Sequence, residues 1–238
     1  MKTNKPQAPS GKTELEQEFE KDIVRILRLS ESDLEGALAG IDYFLERNPH
    51  PAFQNALLAW KGLFYSEHGR YDDAIRELRA ADELRGISDL QNFNTKHDLA
   101  KALDLAGHSE EAYSIVLRAL NEIESASLLF DLLPALAWFC SSLGHAPPER
   151  AEVALKRGKA FYGIDDEGAL PDLISEIVRA TDLKREASER YSELERVLRV
   201  TENETKKLAL IDAYVQDVKV PYYQRLAEDL RERIAKGE

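Results

Sequence analysis

The stretch that decides the fold covers residues 58–81 and reads LAWKGLFYSEHGRYDDAIRELRAA. Its small residues stand at Gly62, Ala74 and Ala81, and Gly69 separates two segments of helix-forming residues. Small side chains at these spacings let two antiparallel helices approach closely, while larger side chains fill the space around them. The stretch therefore predicts a helical hairpin with its turn at Gly69.

The pattern recurs along the chain with a nearly constant period. With Ala74 as the marker, the next copy places Ala112 after Gly107, which gives a period of 112 − 74 = 38 residues. Gly144 follows Gly107 by 37 residues, and Ala37 precedes Ala74 by 37 residues. Four copies in near-constant phase indicate a repeat protein.

A second small residue follows the markers. Ala81 and Ala119 each lie seven residues after their marker alanine, and Gly158 holds the same place in the copy that follows. These glycine, tyrosine and alanine spacings resemble the tetratricopeptide repeat, whose length is about 34 residues. The resemblance implies an antiparallel helix-pair solenoid of three to four repeats. In that family the first helix of each pair lines a concave groove that grips a peptide.

The composition predicts an all-α protein. The chain is 43% hydrophobic, which is enough to build a core, and glutamate, leucine, alanine, arginine and lysine dominate it. No segment alternates with a period of two over a length that predicts a strand. The net charge of −12 repels phosphate backbones, so we do not expect nucleic acid as a partner.

Cysteine usage and hydropathy predict a cytoplasmic protein. Cys140 is the only cysteine, so no internal disulfide can form, as is typical of a reducing compartment. It stands in an apolar helical segment, where we expect a small core residue rather than a reactive thiol. The chain has no run of 18 apolar residues that would span a membrane, and its first 12 residues lack the apolar core of a secretory signal.

Three regions are predicted: a disordered tail over 1–12, a repeat domain over 13–168, and a capping helix with a helical or coiled-coil extension over 169–238. Pro171 suits the first turn of the capping helix. The helices predicted in the repeat domain cover residues 14–29, 32–47, 52–68, 72–84, 88–106, 110–123, 126–143 and 149–162.

The extension carries a stripe of apolar residues at the spacing of a coiled coil. Tyr191, Leu194 and Leu198 recur in steps of three and four, so we expect them to form a homodimer contact. Residues 201–204 read as a capping box, which would break the helix near Val200. Two alternatives follow: an intramolecular hairpin that covers the stripe, or one long helix with a stutter.

Counting back from the turn glycines gives the residues that the resemblance places in the groove. They are Ala56, Ala59, Leu63 and Ser66 in one copy, Asn94, His97, Lys101 and Asp104 in the next, and Asp131, Pro134, Trp138 and Ser141 in the third. Some tetratricopeptide domains clamp a chaperone's C-terminal carboxylate with lysine, arginine and asparagine in these places. Only Asn94 and Lys101 match that pattern here, so we expect a different partner.

No motif of catalysis, metal binding or cofactor binding accompanies the repeats. The five histidines include no His-x-x-x-His pair, and phosphate-binding glycine loops and a Gly-x-Ser-x-Gly elbow are missing. We therefore predict no metal, no cofactor and no enzymatic activity. The carboxylate pairs that open helices complement the positive end of the helix dipole without any catalytic role.

Three functional hypotheses remain from the sequence. The first is an interaction scaffold that holds a peptide or partner helix in the groove. The second is a regulatory or sensor module whose helical extension transmits a signal to a partner output protein. The third, with least support, is an enzyme built on a helical-repeat frame.

Overall fold

The structure, a computed structural model, describes residues 26, 28–29, 33–47, 51–84, 86, 88–165 and 172–236. Within these ranges the backbone is almost entirely helical and contains no strand, which confirms the all-α prediction. The bounded helices are named here in chain order: α1 Leu34–Arg47, α2 Pro51–Glu67, α3 Tyr71–Leu84, α4 Asp89–Leu105, α5 Ser109–Glu122, α6 Ala126–Leu143, α7 Glu149–Tyr162, α8 Leu173–Val200, α9 Glu204–Asp217 and α10 Pro221–Ala235.

The observed helix bounds agree closely with the predicted ones. α6 and α7 coincide with the predicted ranges, and the bounds of α1 to α5 differ from prediction by no more than two residues. Ser88 is the N-cap of α4, as its capping box predicted, since its Oγ accepts a hydrogen bond from the Gln91 amide at 3.2 Å. The predicted tail and most of the predicted helix over 14–29 lie outside the described residues, as does Pro171.

The chain divides into two compact units, Met1–Gly86 and Ile87–Glu238. This division falls inside the range 13–168 that the sequence assigns to one repeat domain. The C-terminal helices belong to the second unit, because α8 packs on α6 and α7, and α10 packs on α7.

In the first unit, α2 and α3 form the hairpin predicted from residues 58–81, with α1 packed on α2. The close approach is made at Gly62, where a Cβ would lie 3.1 Å from the Ala74 carbonyl oxygen and 2.4 Å from Leu78 Cγ. Ala74 and Ala81 are fully buried. Asn55, also buried, ties the two helices together because its Nδ2 donates a hydrogen bond to the Ala81 carbonyl at 2.6 Å.

The second unit contains two more hairpins, α4–α5 and α6–α7, in which only short turns join the paired helices. Such short turns make neighbouring helices antiparallel. The two hairpins pack on each other, because α4 packs on α6, α5 packs on α7, and α5 also packs on α6. α6 ends at Gly144, whose positive φ of 73° closes the helix in a left-handed conformation that suits glycine.

α8 packs on α6 and α7, while its role as a capping helix stays a prediction. Asp172 is its N-cap, since its Oδ1 accepts from the Ser175 amide at 2.9 Å. The buried face of α8 begins with Ile177 and Ala180, whereas Val178 is exposed.

α8 ends at Val200, so the break is present and the continuous stuttered helix is wrong. The N-cap of α9 is Asn203, whose Oδ1 accepts from the Lys206 amide at 2.9 Å, and not Thr201 as the capping box predicted. Thr201 instead closes α8 by donating its hydroxyl to the Val197 carbonyl at 2.8 Å. α9 then packs back on α8, and α10 packs on both.

α6 is the one helix among the described residues that is long and apolar enough to cross a membrane by length and composition. It packs on α4, α5, α7 and α8, and a series of its side chains is buried within the unit, including Phe130, Leu133 and Phe139. Such burial is typical of the core helix of a bundle. Cys140 lies on this helix and is buried, as expected for a core residue.

Candidate functional site

A cleft of about 400 Å³ lies in the second unit between α4, α6 and α8, and is called here the α4–α6–α8 cleft. α4 and α6 are the first helices of two successive hairpins, the elements that the resemblance assigns to a groove. α8 forms the third wall. The cleft is therefore bounded by three helices that pack against one another through α6.

One wall of the cleft is aromatic. Phe93 and His97 lie one turn apart on α4, and their rings stack with centroids 5.6 Å apart and planes inclined by 21°. Both residues are half-buried, so one face of the pair is accessible. A flat, partly exposed ring pair of this kind can hold an alkyl chain or a guanidinium plane.

An ion pair joins two walls of the cleft. Lys184 of α8 places its Nζ 3.0 Å from Oδ1 of Asp131 on α6, and both side chains are largely shielded from solvent. The same ammonium lies 5.7 Å from the centroid of the Tyr162 ring on α7. Burial, and secondly the charge of Asp131, raises the pKa of the Tyr162 hydroxyl. Tyr162 therefore stays neutral and acts as part of the packed base beneath the ion pair.

The rim formed by α8 carries a second set of charges. Arg185 contacts Asp182 at 2.8 Å and Glu189 at 3.7 Å, and all three side chains are exposed. The hydrogen bond with Asp182 raises the pKa of Arg185 further above its ordinary value. Exposed pairs of this kind add little stability. A ligand at this rim would therefore meet two carboxylates and one guanidinium.

The wall formed by α6 contains a proline inside the helix. Pro134 and Phe130 both line the cleft, and they stand one turn apart. Because proline has no N–H, the Phe130 carbonyl lacks the donor that residue i + 4 of a helix normally supplies. Phe130 is fully buried, so this carbonyl is not accessible from the cleft.

Trp138 lies one turn beyond Pro134 on the same helix and is 61% exposed. The other aromatic residues of α6, Phe130 and Phe139, are buried in the core. A tryptophan left in solvent next to a cleft is unusual, because burying its side chain is favourable and tryptophan is enriched where proteins bind partners.

The structure brings some of the predicted groove residues together and leaves others apart. His97 and Asp131 line the cleft. Trp138 and Ser141 do not line the cleft and are exposed one and two turns beyond Pro134 on α6, and Asn94 and Lys101 are exposed on α4. Asp104 is engaged locally, because its Oδ1 accepts a hydrogen bond from Ser109 Oγ at 2.6 Å. Leu63 and Ser66 are half-buried on α2 in the first unit and do not border this cleft.

The stripe predicted for dimerisation is covered within the single chain. Leu194 and Leu198 are only 7% and 6% exposed. The Tyr191 ring meets the rings of Tyr214 on α9 and Tyr223 on α10, with centroids 5.9 and 6.0 Å away. This burial is what the hairpin alternative predicts, while homodimer formation itself stays a prediction.

The hairpin is fixed by polar contacts as well as by the rings. The Tyr214 hydroxyl donates to the buried Ala187 carbonyl at 3.0 Å, and Arg190 forms an ion pair with Asp217. Gln224 of α10 donates to the carbonyls of Val215 and Val218, which fixes the turn between α9 and α10.

Phe93, Lys184 and Arg185 line the cleft but were not predicted from the sequence. Phe93 precedes the predicted groove residue Asn94 by one position, so a one-residue shift in register would have found it. Lys184 lies seven residues before Tyr191 and so falls on the helix face of the predicted stripe. A cation at an otherwise apolar position could have indicated an ion pair there. The crossing of α8 beside α4 and α6 could not be read from spacing along one helix.

No known family model matches this chain, and no curated protein is significantly similar to it in sequence. The resemblance to tetratricopeptide repeats therefore depends on the chain's own spacings and on its stacked hairpins.

Proposed function

We propose that this protein is an interaction scaffold of the tetratricopeptide type, and that the α4–α6–α8 cleft and the adjoining surface of α6 bind a peptide or a partner helix. One observation carries the proposal: the exposed Trp138 lies one turn beyond Pro134, which lines a cleft between the first helices of two packed hairpins. The order of helix contacts in the second unit supports a short solenoid capped by α8.

The chemistry of the cleft suits binding better than catalysis. It offers stacked rings and charged groups that already have partners, with an exposed tryptophan nearby on α6, which together provide apolar area and orientation. We also propose that the protein has no enzymatic activity, needs no cofactor and is cytoplasmic. A protein or peptide is the expected partner, with neither nucleic acid nor membrane.

A selection from displayed random peptides tests the proposal with the full chain. Peptides about 16 residues long span about 24 Å as a helix, enough to cross the cleft and reach Trp138. The Trp60→Phe variant leaves Trp138 as the only tryptophan, since the chain has two. Peptide binding should then reduce the quenching of Trp138 fluorescence by acrylamide.

Truncation of Trp138 provides the decisive comparison. Removing a tryptophan at the centre of an interface typically costs at least about 2 kcal/mol, so Trp138→Ala should weaken the selected peptides about 30-fold. Val153→Ala is the matched control, because Val153 is an exposed apolar residue on α7, which does not line the cleft. Selected peptides that bind both variants as tightly as the wild type would contradict the proposal.

One feature favours the sensor hypothesis as a second candidate. α8 lines the cleft with Lys184 and Arg185 and, two turns later, contacts α9 and α10 through Tyr191. A ligand that moves α8 would therefore also act on the C-terminal hairpin, whose state a partner protein could read. Hydrogen exchange in α9 and α10 should change when a cleft peptide binds; unchanged exchange there would leave only the scaffold.

A further inference from the structure

We infer that the first half of α8, residues 173–185, is an autoinhibitory strap: it lies over one end of the groove face of α6 and weakens the binding of a peptide there. This inference rests on the proposed function, because it names the regulation of the same site. Its support comes from the level of the cleft in the repeats, the side of α6 on which α8 packs, and the polarity of the α8 side chains that border the cleft.

The cleft lies at one level of the repeated helices. Phe130 follows Phe93 by 130 − 93 = 37 residues, and Pro134 follows His97 by 134 − 97 = 37 residues. The turn glycines of the two hairpins are also 37 residues apart. Equivalent positions of two successive first helices therefore line the cleft, as a groove in a repeat protein requires.

α8 packs on the groove side of the last hairpin. α6 packs more extensively on α5, the helix directly before it, than on α4. α8 shows the reverse, because it packs more extensively on α6 than on α7. It also lines a cleft together with α4, although both of these helices pack on α6. α8 is therefore shifted from the place of a next repeat toward the groove.

An ion pair holds the strap over a groove position. Asp131 on α6 is equivalent to Asn94 on α4, since 131 − 94 = 37. Asn94 is exposed, whereas Asp131 is paired with Lys184 at 3.0 Å and its side chain is only 31% exposed. Arg185 forms its ion pairs with carboxylates of α8 itself. In the described part of the chain, the latch between α8 and the groove is therefore Lys184 rather than Arg185.

Other contacts keep the strap closed in the free protein. Ile177 and Ala180 are buried, and Glu176 forms an ion pair with Lys159 of α7 at 2.8 Å. Displacing the strap would disrupt these contacts, so the closed state is favoured. A peptide that needs the open state then binds with an apparent affinity reduced by the fraction of open molecules.

The strap matches the opposite wall of the cleft poorly. On α4 that wall is the stacked pair of Phe93 and His97, which favours apolar contacts. A space of about 400 Å³ remains between the helices. The side chains that α8 contributes to the cleft are all polar or charged: Thr181, Asp182, Lys184, Arg185, Ser188 and Glu189. A peptide with apolar side chains would cover the aromatic wall better than α8 does, and these contacts would offset the displacement of the strap.

The strap leaves the other end of the groove face open. Trp138 lies seven residues beyond Asp131 on α6 and is 61% exposed. Seven helical residues span about 10 Å, whereas a helical peptide of 16 residues centred at Trp138 extends about 12 Å to either side. Such a peptide therefore reaches the strap.

Lys184→Gln loosens the strap without changing any residue of α6. Peptides of 16 residues selected for Trp138-dependent binding should bind this variant about fivefold more tightly than the wild type, the effect of an ion pair that contributes about 1 kcal/mol to the closed state. Arg185→Gln is the matched control, because it removes the same charge from the same cleft without breaking an ion pair to α6. It should leave the peptide affinity unchanged.

Asp131→Asn breaks the same ion pair but changes the charge in the opposite direction. It should also tighten peptide binding, and the double variant Lys184→Gln with Asp131→Asn should gain no more than either single variant. A general effect of charge would instead shift the affinities of the two single variants in opposite directions.

Hydrogen exchange detects the movement of the strap. Peptide binding to the wild type should speed the exchange of amides in residues 173–185, because this part of α8 loses its contacts with α6. A peptide that binds beside an unmoved α8 would leave these amides as protected as before or more so.

The outcomes separate the two proposals. Trp138-dependent peptides that bind Lys184→Gln no more tightly than the wild type or Arg185→Gln, or that leave residues 173–185 fully protected, would overturn the strap and leave the scaffold function standing. A selection that yields no Trp138-dependent peptide would overturn both.

Discussion

Gly158 of α7 offers the sharpest test of the packing described here. A Cβ at this position would lie 2.1 Å from Cδ2, 2.5 Å from Cγ and 2.6 Å from Cβ of Phe130 on α6. Phe130 is fully buried and its ring also packs against Tyr162, with centroids 5.3 Å apart, so a shift of the ring would disturb this packing as well. Gly158→Ala should therefore destabilise the second unit although alanine is the better helix former.

The expected magnitude follows from two opposing terms. Overpacking a core costs about 1–3 kcal/mol, and these contacts favour the upper end because they involve the Cβ of Phe130 as well as its ring. Replacing glycine by alanine in a helix interior contributes about 1 kcal/mol of stability. The net loss should be about 2 kcal/mol, or a decrease in Tm of about 4–8 °C for a unit of this size.

A double-mutant cycle measured by thermal circular dichroism identifies the cause. In a Phe130→Ala background the contacts with Cγ and Cδ2 are removed, so Gly158→Ala should cost at least about 1 kcal/mol less than it does in the wild type. Gly107→Ala is the control: no atom lies within 4 Å of its Cβ position, and its cost arises from a φ of +85°. That cost should be the same in both backgrounds. A Gly158→Ala variant that melts at or above the wild-type temperature would refute the packing argument.

Two further predictions concern the C-terminal hairpin. Because Leu194 and Leu198 are buried within the single chain, Leu194→Asp with Leu198→Asp should lower helical content and Tm without changing the mass measured by light scattering; a wild-type dimer that dissociates with its helicity intact would support the homodimer instead. Burial raises the pKa of Tyr214 from 10.0 to about 12, so above pH 10 the unfolded chain loses this proton while the folded chain keeps it. Stability should therefore be intact below about pH 10 and fall between pH 10 and 12, and Tyr214→Phe should reduce that fall while losing about 1 kcal/mol at neutral pH with its hydrogen bond to Ala187. Melting curves over a pH series measure both effects, and an unchanged alkaline slope in Tyr214→Phe would exclude Tyr214 as its source.

The repeat pattern was readable because helix periodicity and close helix contacts are local properties of sequence. Gly62, Ala74 and Ala81 recur at fixed spacings because each must leave room for a neighbouring helix. Caps are equally local, and Ser88 was recognised from the residues of one helix turn. The capping residue before α9 was misplaced because Thr201 and Asn203 are both suitable caps, and the end of α8 decided between them.

The sequence by itself determined that this chain is helical, where most helices begin and end, and which small residues mark the hairpins. Only the tertiary structure decided which of the exposed positions form a site. Lys184 is 53 residues from Asp131 along the chain, and no helix period relates them. The direction in which α8 crosses α6 brings them together, and the same packing covers the Leu194 and Leu198 stripe while leaving Trp138 in solvent. Each of these outcomes depends on contacts between distant segments, whose free energy belongs to the assembled unit and not to any one helix.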